Sequence, residues 1–214
     1  MSLGAKICGL STPETVEAAV ASGADFIGFV FFPRSPRAVT AARAADLARP
    51  VPRRVQRCGL FVDADDTTIE AILGAVPLDL LQLHGAETPE RCAAIRERFR
   101  RPVMKAFGIA SAEDAAQAER WVGTVDRLLF DAKPPRLEGA LPGGNGIAFD
   151  WRILAGRSWP LPWMLSGGLD AGNLAEAVRT TGAPAVDVSS GVETSPGIKD
   201  IALIREFLSV AKRL

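Results

Sequence analysis

Short apolar, β-branched runs alternate along the chain with stretches whose apolar residues recur at helical spacing. Strands are predicted near 5–8, 25–30, 55–62, 78–83, 103–107, 126–130, 162–166 and 185–188. Helical segments are predicted near 13–22, 40–48, 66–75, 88–99, 111–121, 150–155, 172–180 and 199–212. Thr12-Pro13-Glu14, Thr88-Pro89-Glu90 and Ser111-Ala112-Glu113-Asp114 look like helix starts, where a side-chain oxygen satisfies a free backbone N–H. Eight strand–helix pairs at about 27 residues each are short but adequate for a (β/α)8 barrel. An open doubly wound sheet normally has fewer strands, and its G-x-G-x-x-G fingerprint is missing after the first one. The pattern therefore predicts an α/β fold, a single-domain (β/α)8 TIM barrel over 1–214. In that fold, chemistry sits in the loops after the strands' C-terminal ends.

Composition narrows the classes. Apolar residues make up 48% of the chain, and 25 basic residues balance 25 acidic ones. Nothing in that balance calls for nucleic acid or an anionic membrane. Three cysteines with no C-x-x-C pair argue against a disulfide framework or a thiolate zinc site, and one histidine leaves few metal ligands. Neither a membrane span nor a secretory signal is expected. A reducing, cytoplasmic compartment fits best.

The strand ends carry the candidate chemistry. Strand one ends at Cys8, followed by Gly9, a polar loop and a helix cap, which puts this thiol at the rim. Cys58 is followed by more strand and should lie lower in the barrel, and Cys92 lies in helix four; both read as small core hydrophobes. Position alone leaves Cys8 open between filling space and doing chemistry. In strand six, alternation groups Asp131 with Arg127 and Leu129, and turns Leu128 and Phe130 toward the helices. Asp131 either caps the next turn or acts chemically. Asp187 in strand eight also points inward, and strand four offers Gln82 and His84 on one face, the histidine reading first as a structural group. Arg34 and Arg37 lie in the proline-stiffened loop F-F-P-R-S-P-R, where Arg37 is better placed to aim its fork at a carboxylate or phosphate. S-G-G-L at 166–169 and S-S-G-V at 189–192 follow strands seven and eight, the usual position of a barrel phosphate site. The long loop 131–149, with Pro-Gly-Gly-Asn-Gly, reads as a lid or as plain disorder.

Taken together these motifs resemble the phosphoribosylanthranilate isomerase family. The residues are K-I-C-G at 6–9, G-A-D-F-I-G-F-V-F at 23–31, S-P-R at 35–37, Q-L-H-G at 82–85 and F-D-A-K at 130–133. They continue with G-G-N-G-x-x-F-D-W at 143–151, L-S-G-G-L at 165–169, D-V-S-S-G-V-E at 187–193 and S-P-G-x-K-D at 195–200. The likeness covers almost the whole chain in order, with Asn145 where threonine is expected. It implies a (β/α)8 barrel without cofactor or metal that catalyses the Amadori rearrangement of N-(5′-phosphoribosyl)anthranilate in tryptophan biosynthesis. It further implies Cys8 as general base at C2′ and Asp131 as general acid at the ribose ring oxygen. Arg37 matches the carboxylate-binding arginine, and Gly167, Gly168, Ser189, Ser190 and Gly191 the phosphate loops. Asp187 is counted with the substrate-binding residues. The partner expected is the small-molecule substrate, handled by a monomer or homodimer.

That assignment carries a protonation problem. Reference pKa values of about 8.5 for cysteine and about 3.9 for aspartate leave the reactive pair, thiolate and carboxylic acid, at a joint population on the order of 10⁻⁵ at pH 7. The closed complex is therefore expected to raise the pKa of Asp131, lower that of Cys8 with Lys6 as the nearby cation, or both. Three other readings compete. A histidine-biosynthesis sugar-phosphate isomerase resembles a design with paired aspartates, and Cys8 speaks against it. A Schiff-base aldolase would use Lys105 or Lys133, though alternation turns Lys105 away from Met104 and Ala106. A non-catalytic phosphate-binding barrel would keep the loops but not need Cys8 with Asp131.

Overall fold

The computed structural model describes residues 3–133, 143–144, 146 and 148–214. Eight strands close in chain order into one parallel barrel: β1 (Gly4–Cys8), β2 (Phe26–Val30), β3 (Gln56–Phe61), β4 (Leu80–Leu83), β5 (Val103–Ile109), β6 (Arg127–Ala132), β7 (Trp163–Leu165) and β8 (Ala185–Val188). β8 pairs back onto β1, setting Asp187 beside Lys6. The described helices are α1 (Pro13–Ala21), α2 (Ala41–Ala48), α3 (Asp66–Ala75), α4 (Pro89–Phe99), α5 (Ala112–Gln117), α6 (Leu174–Thr181) and α7 (Ile201–Ala211). Thr12 and Thr88 accept N–H groups of the first turns of α1 and α4, and Ser111 with Asp114 forms a reciprocal capping box at α5.

Strand alternation divides the buried residues into two cores. Inside the barrel lie Phe26, Cys58, Leu80, Met104, Ala106, Leu129 and Met164. Between sheet and helices lie the others, with Leu128 and Phe130 among them. Fully burying each such large apolar side chain contributes roughly 1.5–3 kcal/mol. Where the strands begin, Asp25, Asp79 and Asp126 accept the N–H groups of Ala5, Arg57 and Val103 at 2.9, 2.9 and 2.8 Å. Those aspartates stitch β1 to β2, β3 to β4 and β5 to β6 at the end away from the chemistry.

Three elements differ from the sequence expectation, the first being the helix expected at 111–121, which is α-helical only to Gln117 and ends in a 3₁₀ turn, Ala118–Trp121. The helix expected at 150–155 is one 3₁₀ turn, Trp151–Leu154. Only five residues separate the Asp150 cap from Gly156, whose φ of +68° ends the turn. The chain before α7 also forms a small antiparallel hairpin, β9 (Glu193–Ser195) with β10 (Ile198–Lys199), so α7 starts at Ile201 rather than 199. Asn145, and 134–142 of the loop expected to act as a lid, lie outside the described residues.

Candidate active site

A cavity of about 780 Å³, its open mouth included, lies at the C-terminal end of the barrel. Cys8, Arg37, Asp131, Gly167, Gly168, Asp187, Ser189 and Ser190 all line it. Gly191 does not. A Cβ there would lie 1.9 Å from the Leu169 carbonyl oxygen, so its part is to let the loops after β7 and β8 pack together. Arg34 is exposed and stays outside the cavity.

Lys6 and Cys8, two apart on β1, both point inward. Gly28 on β2 leaves the space they fill: a Cβ there would meet Cys8 Sγ at 3.0 Å and Lys6 Nζ at 3.3 Å. Lys6 Nζ is fully buried and donates to Asp187 Oδ1 at 2.8 Å, while Ser166 Oγ donates to Oδ2 at 3.4 Å. Burial works against the charge on Lys6, but Asp187, backed by Cys8 and Cys58, holds its pKa above the ordinary lysine value. Burial pushes the Cys8 thiol up; Lys6 opposes this and Asp187 reinforces it. The net shift of Cys8 is therefore upward, because burial outweighs the pull of Lys6, whose ammonium is already paired with Asp187. Asp187 itself, expected among the substrate contacts, is first the counter-ion of Lys6.

Asp131, the penultimate residue of β6, lines the same mouth as Cys8. Its Oδ1 accepts the Ala132 N–H at 2.8 Å, and its Oδ2 lies 3.3 Å from His84 Nε2. Gln82 Nε2 lies 3.0 Å from His84 Nδ1, and the Cys58 thiol donates to Gln82 Oε1 at 3.7 Å. The Gln82 amide thus faces Nδ1, and Nε2 is the ring nitrogen turned toward the carboxylate. Gly143 packs on this contact, since a Cβ there would come 2.6 Å from Asp131 Oδ2 and 2.7 Å from His84 Nε2. Strand spacing alone assigns His84 no carboxylate partner; closure of the barrel supplies one.

Arg37 is buried at the rim. Its Nε and Nη2 donate to Glu193 Oε1 and Oε2 at 2.7 and 2.8 Å, and Nη2 also to the Gly144 carbonyl at 3.1 Å. Lys199 Nζ donates to the same Oε1 at 2.7 Å, to the Ser189 carbonyl at 2.8 Å and to Ser189 Oγ at 3.1 Å. Ser189 Oγ in turn donates to the Cys8 carbonyl at 3.2 Å. Sequence reading missed Glu193 and Lys199 as site residues, although Ser195-Pro196-Gly197 between them signals a tight turn. On the phosphate side, Gly167 and Gly168 take φ of +88° and +65°, and a Cβ on Gly167 would lie 2.5 Å from the Ala132 nitrogen. These glycines let main-chain N–H groups approach an anion closely.

The lysines of the aldolase reading are accounted for. Lys105 lies outside the barrel core, donating to Glu87 Oε2 at 2.8 Å and the Gly85 carbonyl at 2.6 Å. Lys133 reaches the cavity rim but pairs with Asp114 at 2.9 Å.

The chain is similar to known proteins along almost its whole length. The family model described as N-(5′-phosphoribosyl)anthranilate (PRA) isomerase matches residues 5–210. The N-(5′-phosphoribosyl)anthranilate isomerase of Rhodospirillum centenum is 59% identical over the full length of both chains. The crystal structure of phosphoribosyl anthranilate isomerase from Thermotoga maritima superposes with a TM-score of 0.88 at 36% identity, covering 99% of this chain and 100% of that one. A structure of such an isomerase in complex with reduced 1-(o-carboxyphenylamino)-1-deoxyribulose 5-phosphate aligns with a TM-score of 0.84 at 34% identity, covering 99% of this chain and 100% of that one.

Proposed function

This chain belongs to the N-(5′-phosphoribosyl)anthranilate isomerase family, and we propose that Cys8 and Asp131 carry that family's reaction in it. The reaction is an internal redox change that converts N-(5′-phosphoribosyl)anthranilate into 1-(2-carboxyphenylamino)-1-deoxyribulose 5-phosphate for tryptophan biosynthesis. No atom is gained or lost: C1′ is reduced as C2′ is oxidised.

Asp131 gives a proton to the ribose ring oxygen. The C1′–O bond breaks, and the nitrogen lone pair forms a protonated C1′=N bond. The Cys8 thiolate then takes the C2′ proton, and that electron pair forms C1′=C2′ while neutralising the nitrogen. Loss of the C2′ hydroxyl proton and return of a proton to C1′ leave the ketone. The observation that carries this reading is the placement of a thiol and a carboxyl on separated strands of one cavity, with an arginine and the glycine loops at its edges. Phosphate at Gly167, Gly168, Ser189 and Ser190, and carboxylate at Arg37, fix the sugar between acid and base, which lowers the entropic part of the barrier.

The raised thiol pKa means that the base acts from a minor ionised population, so the rate should climb as pH rises above neutrality. The chain works as one domain over 1–214, as a monomer or homodimer. It acts in the cytoplasm, where its three unpaired cysteines fit a reducing milieu. Among the described residues no helix is long and apolar enough to cross a membrane. The test is turnover of phosphoribosylanthranilate generated in situ, followed by the loss of its fluorescence. Decay no faster than the spontaneous breakdown of the substrate would overturn the reading.

A further inference from the structure

Glu193 is a buried carboxylate to which the acid–base steps give no work. Its side chain is 4% exposed and sits between two cations, Arg37 at 5% and Lys199 at 1%. A buried carboxylate is costly unless paired, and this one is paired twice. Its grip on Arg37 has a geometric consequence. Glu193 takes Nε and Nη2, the edge of the guanidinium that would otherwise offer a two-pronged fork. Nη1 makes no hydrogen bond among the described residues. It lies beside Gly144, where a Cβ would come within 2.6 Å of it, and Arg37 and Gly144 both line the cavity. The charge balance supports an anion at that point: two cations against one carboxylate leave one positive charge at the wall.

We propose that Glu193 is a positioning residue that holds Arg37 side-on, so that the substrate carboxylate meets Nη1 in a single, fixed direction. The inference rests on the isomerase reading above. It adds a determinant of preference for an aromatic amine bearing a carboxylate over one without it. The hairpin β9–β10 delivers Glu193 and Lys199 together, and its Gly197 turn packs on the Pro36 carbonyl, where a Cβ would lie at 2.6 Å. One short hairpin thereby ties the Arg37 loop to Ser189 of the anion-binding loop.

The test compares two substrates, phosphoribosylated anthranilate and phosphoribosylated aniline, by kcat/KM. Glu193→Gln should lower the preference for the anthranilate substrate at least tenfold, mainly through a higher KM. In an Arg37→Met background the same change should move that preference less than threefold, because the group it positions is gone. Lys199→Met combined with Glu193→Gln keeps the excess charge at one and guards against misfolding of the single variant; the preference should still be lost. The proposal is overturned if Glu193→Gln costs both substrates equally, if its effect persists without Arg37, or if the charge-balanced double variant regains the preference. Failure of the intact protein to turn over the anthranilate substrate would instead strike the isomerase reading itself.

Discussion

Replacing Asp187 with asparagine separates its role as a counter-ion from a role in touching substrate. Lys6 Nζ is 0% exposed and sits 2.8 Å from Asp187 Oδ1. At an effective dielectric of about 20, two unit charges at that separation attract by about 6 kcal/mol. The asparagine amide would keep the size and one hydrogen bond, but leave the ammonium buried without its counter-charge. Removing one partner of a buried pair costs about 3–5 kcal/mol. With a urea slope of about 2 kcal/mol per molar, the unfolding midpoint at pH 7 should drop by about 1.5–2.5 M. A second effect has a different origin. The Asp187 carboxylate helps to push the Cys8 thiol up, while Lys6 pulls it down. Removing Asp187 takes away one upward influence while Lys6 and Lys199 still pull down against burial, so the Cys8 pKa should fall. Alkylation by iodoacetamide across a pH series, with the labelled cysteine identified by mass spectrometry, reads this directly. A protein that is less stable yet more reactive at Cys8 near neutral pH is the expected result. A midpoint within 0.5 M of the parent, or a Cys8 titration that stays put or rises, would refute the counter-ion argument.

The same interior sets two more outcomes. Burial pushes the Cys58 thiol up to about 12, with Lys6 opposing; the folded state therefore holds this proton more tightly than the unfolded chain does. Its contribution is intact below the ordinary thiol range and is lost as pH rises toward 12, at about 1.4 kcal/mol per pH unit. The parent should lose stability relative to Cys58→Ala by that slope from pH 9 upward, and parallel curves would contradict it. His84→Leu removes the side chain paired with Asp131 Oδ2 and should cut kcat on the order of 100-fold with the fold intact. His84→Gln, which retains an N–H near the Nε2 position, should recover part of that loss. A kcat within threefold of the parent in His84→Leu would remove His84 from the account.

The barrel was legible because its signals are local and repeat. Alternation in Arg127-Leu128-Leu129-Phe130-Asp131 was enough to sort Leu129 inward and Leu128 and Phe130 outward, and the same rule turned Lys105 away from the barrel axis. Helix starts at Thr12, Thr88 and Ser111 were legible from a single hydroxyl and the acidic residue two or three positions later. The short turn at Trp151–Leu154 was not, since its apolar spacing looks helical and only its length forbids a full helix. Pairings across the barrel were the hardest to see. Lys6 and Asp187 lie 181 residues apart in sequence, and Arg37 and Glu193 lie 156 apart. No periodicity links such positions; closure of β8 onto β1 does. The ion pair at Lys6 was missed for the same reason, because the ammonium was visible in the sequence but its claimant was not.

The central claim is that Cys8 and Asp131 act as base and acid on one substrate held between them. Its most direct test is kcat for Cys8→Ala and Asp131→Asn, measured with phosphoribosylanthranilate after circular dichroism has shown both variants folded. General acid–base groups contribute roughly 10²–10⁴-fold each, so both variants should fall by at least 100-fold while KM changes little. If either folded variant keeps a kcat within tenfold of the parent, that residue is not the proton carrier assigned to it.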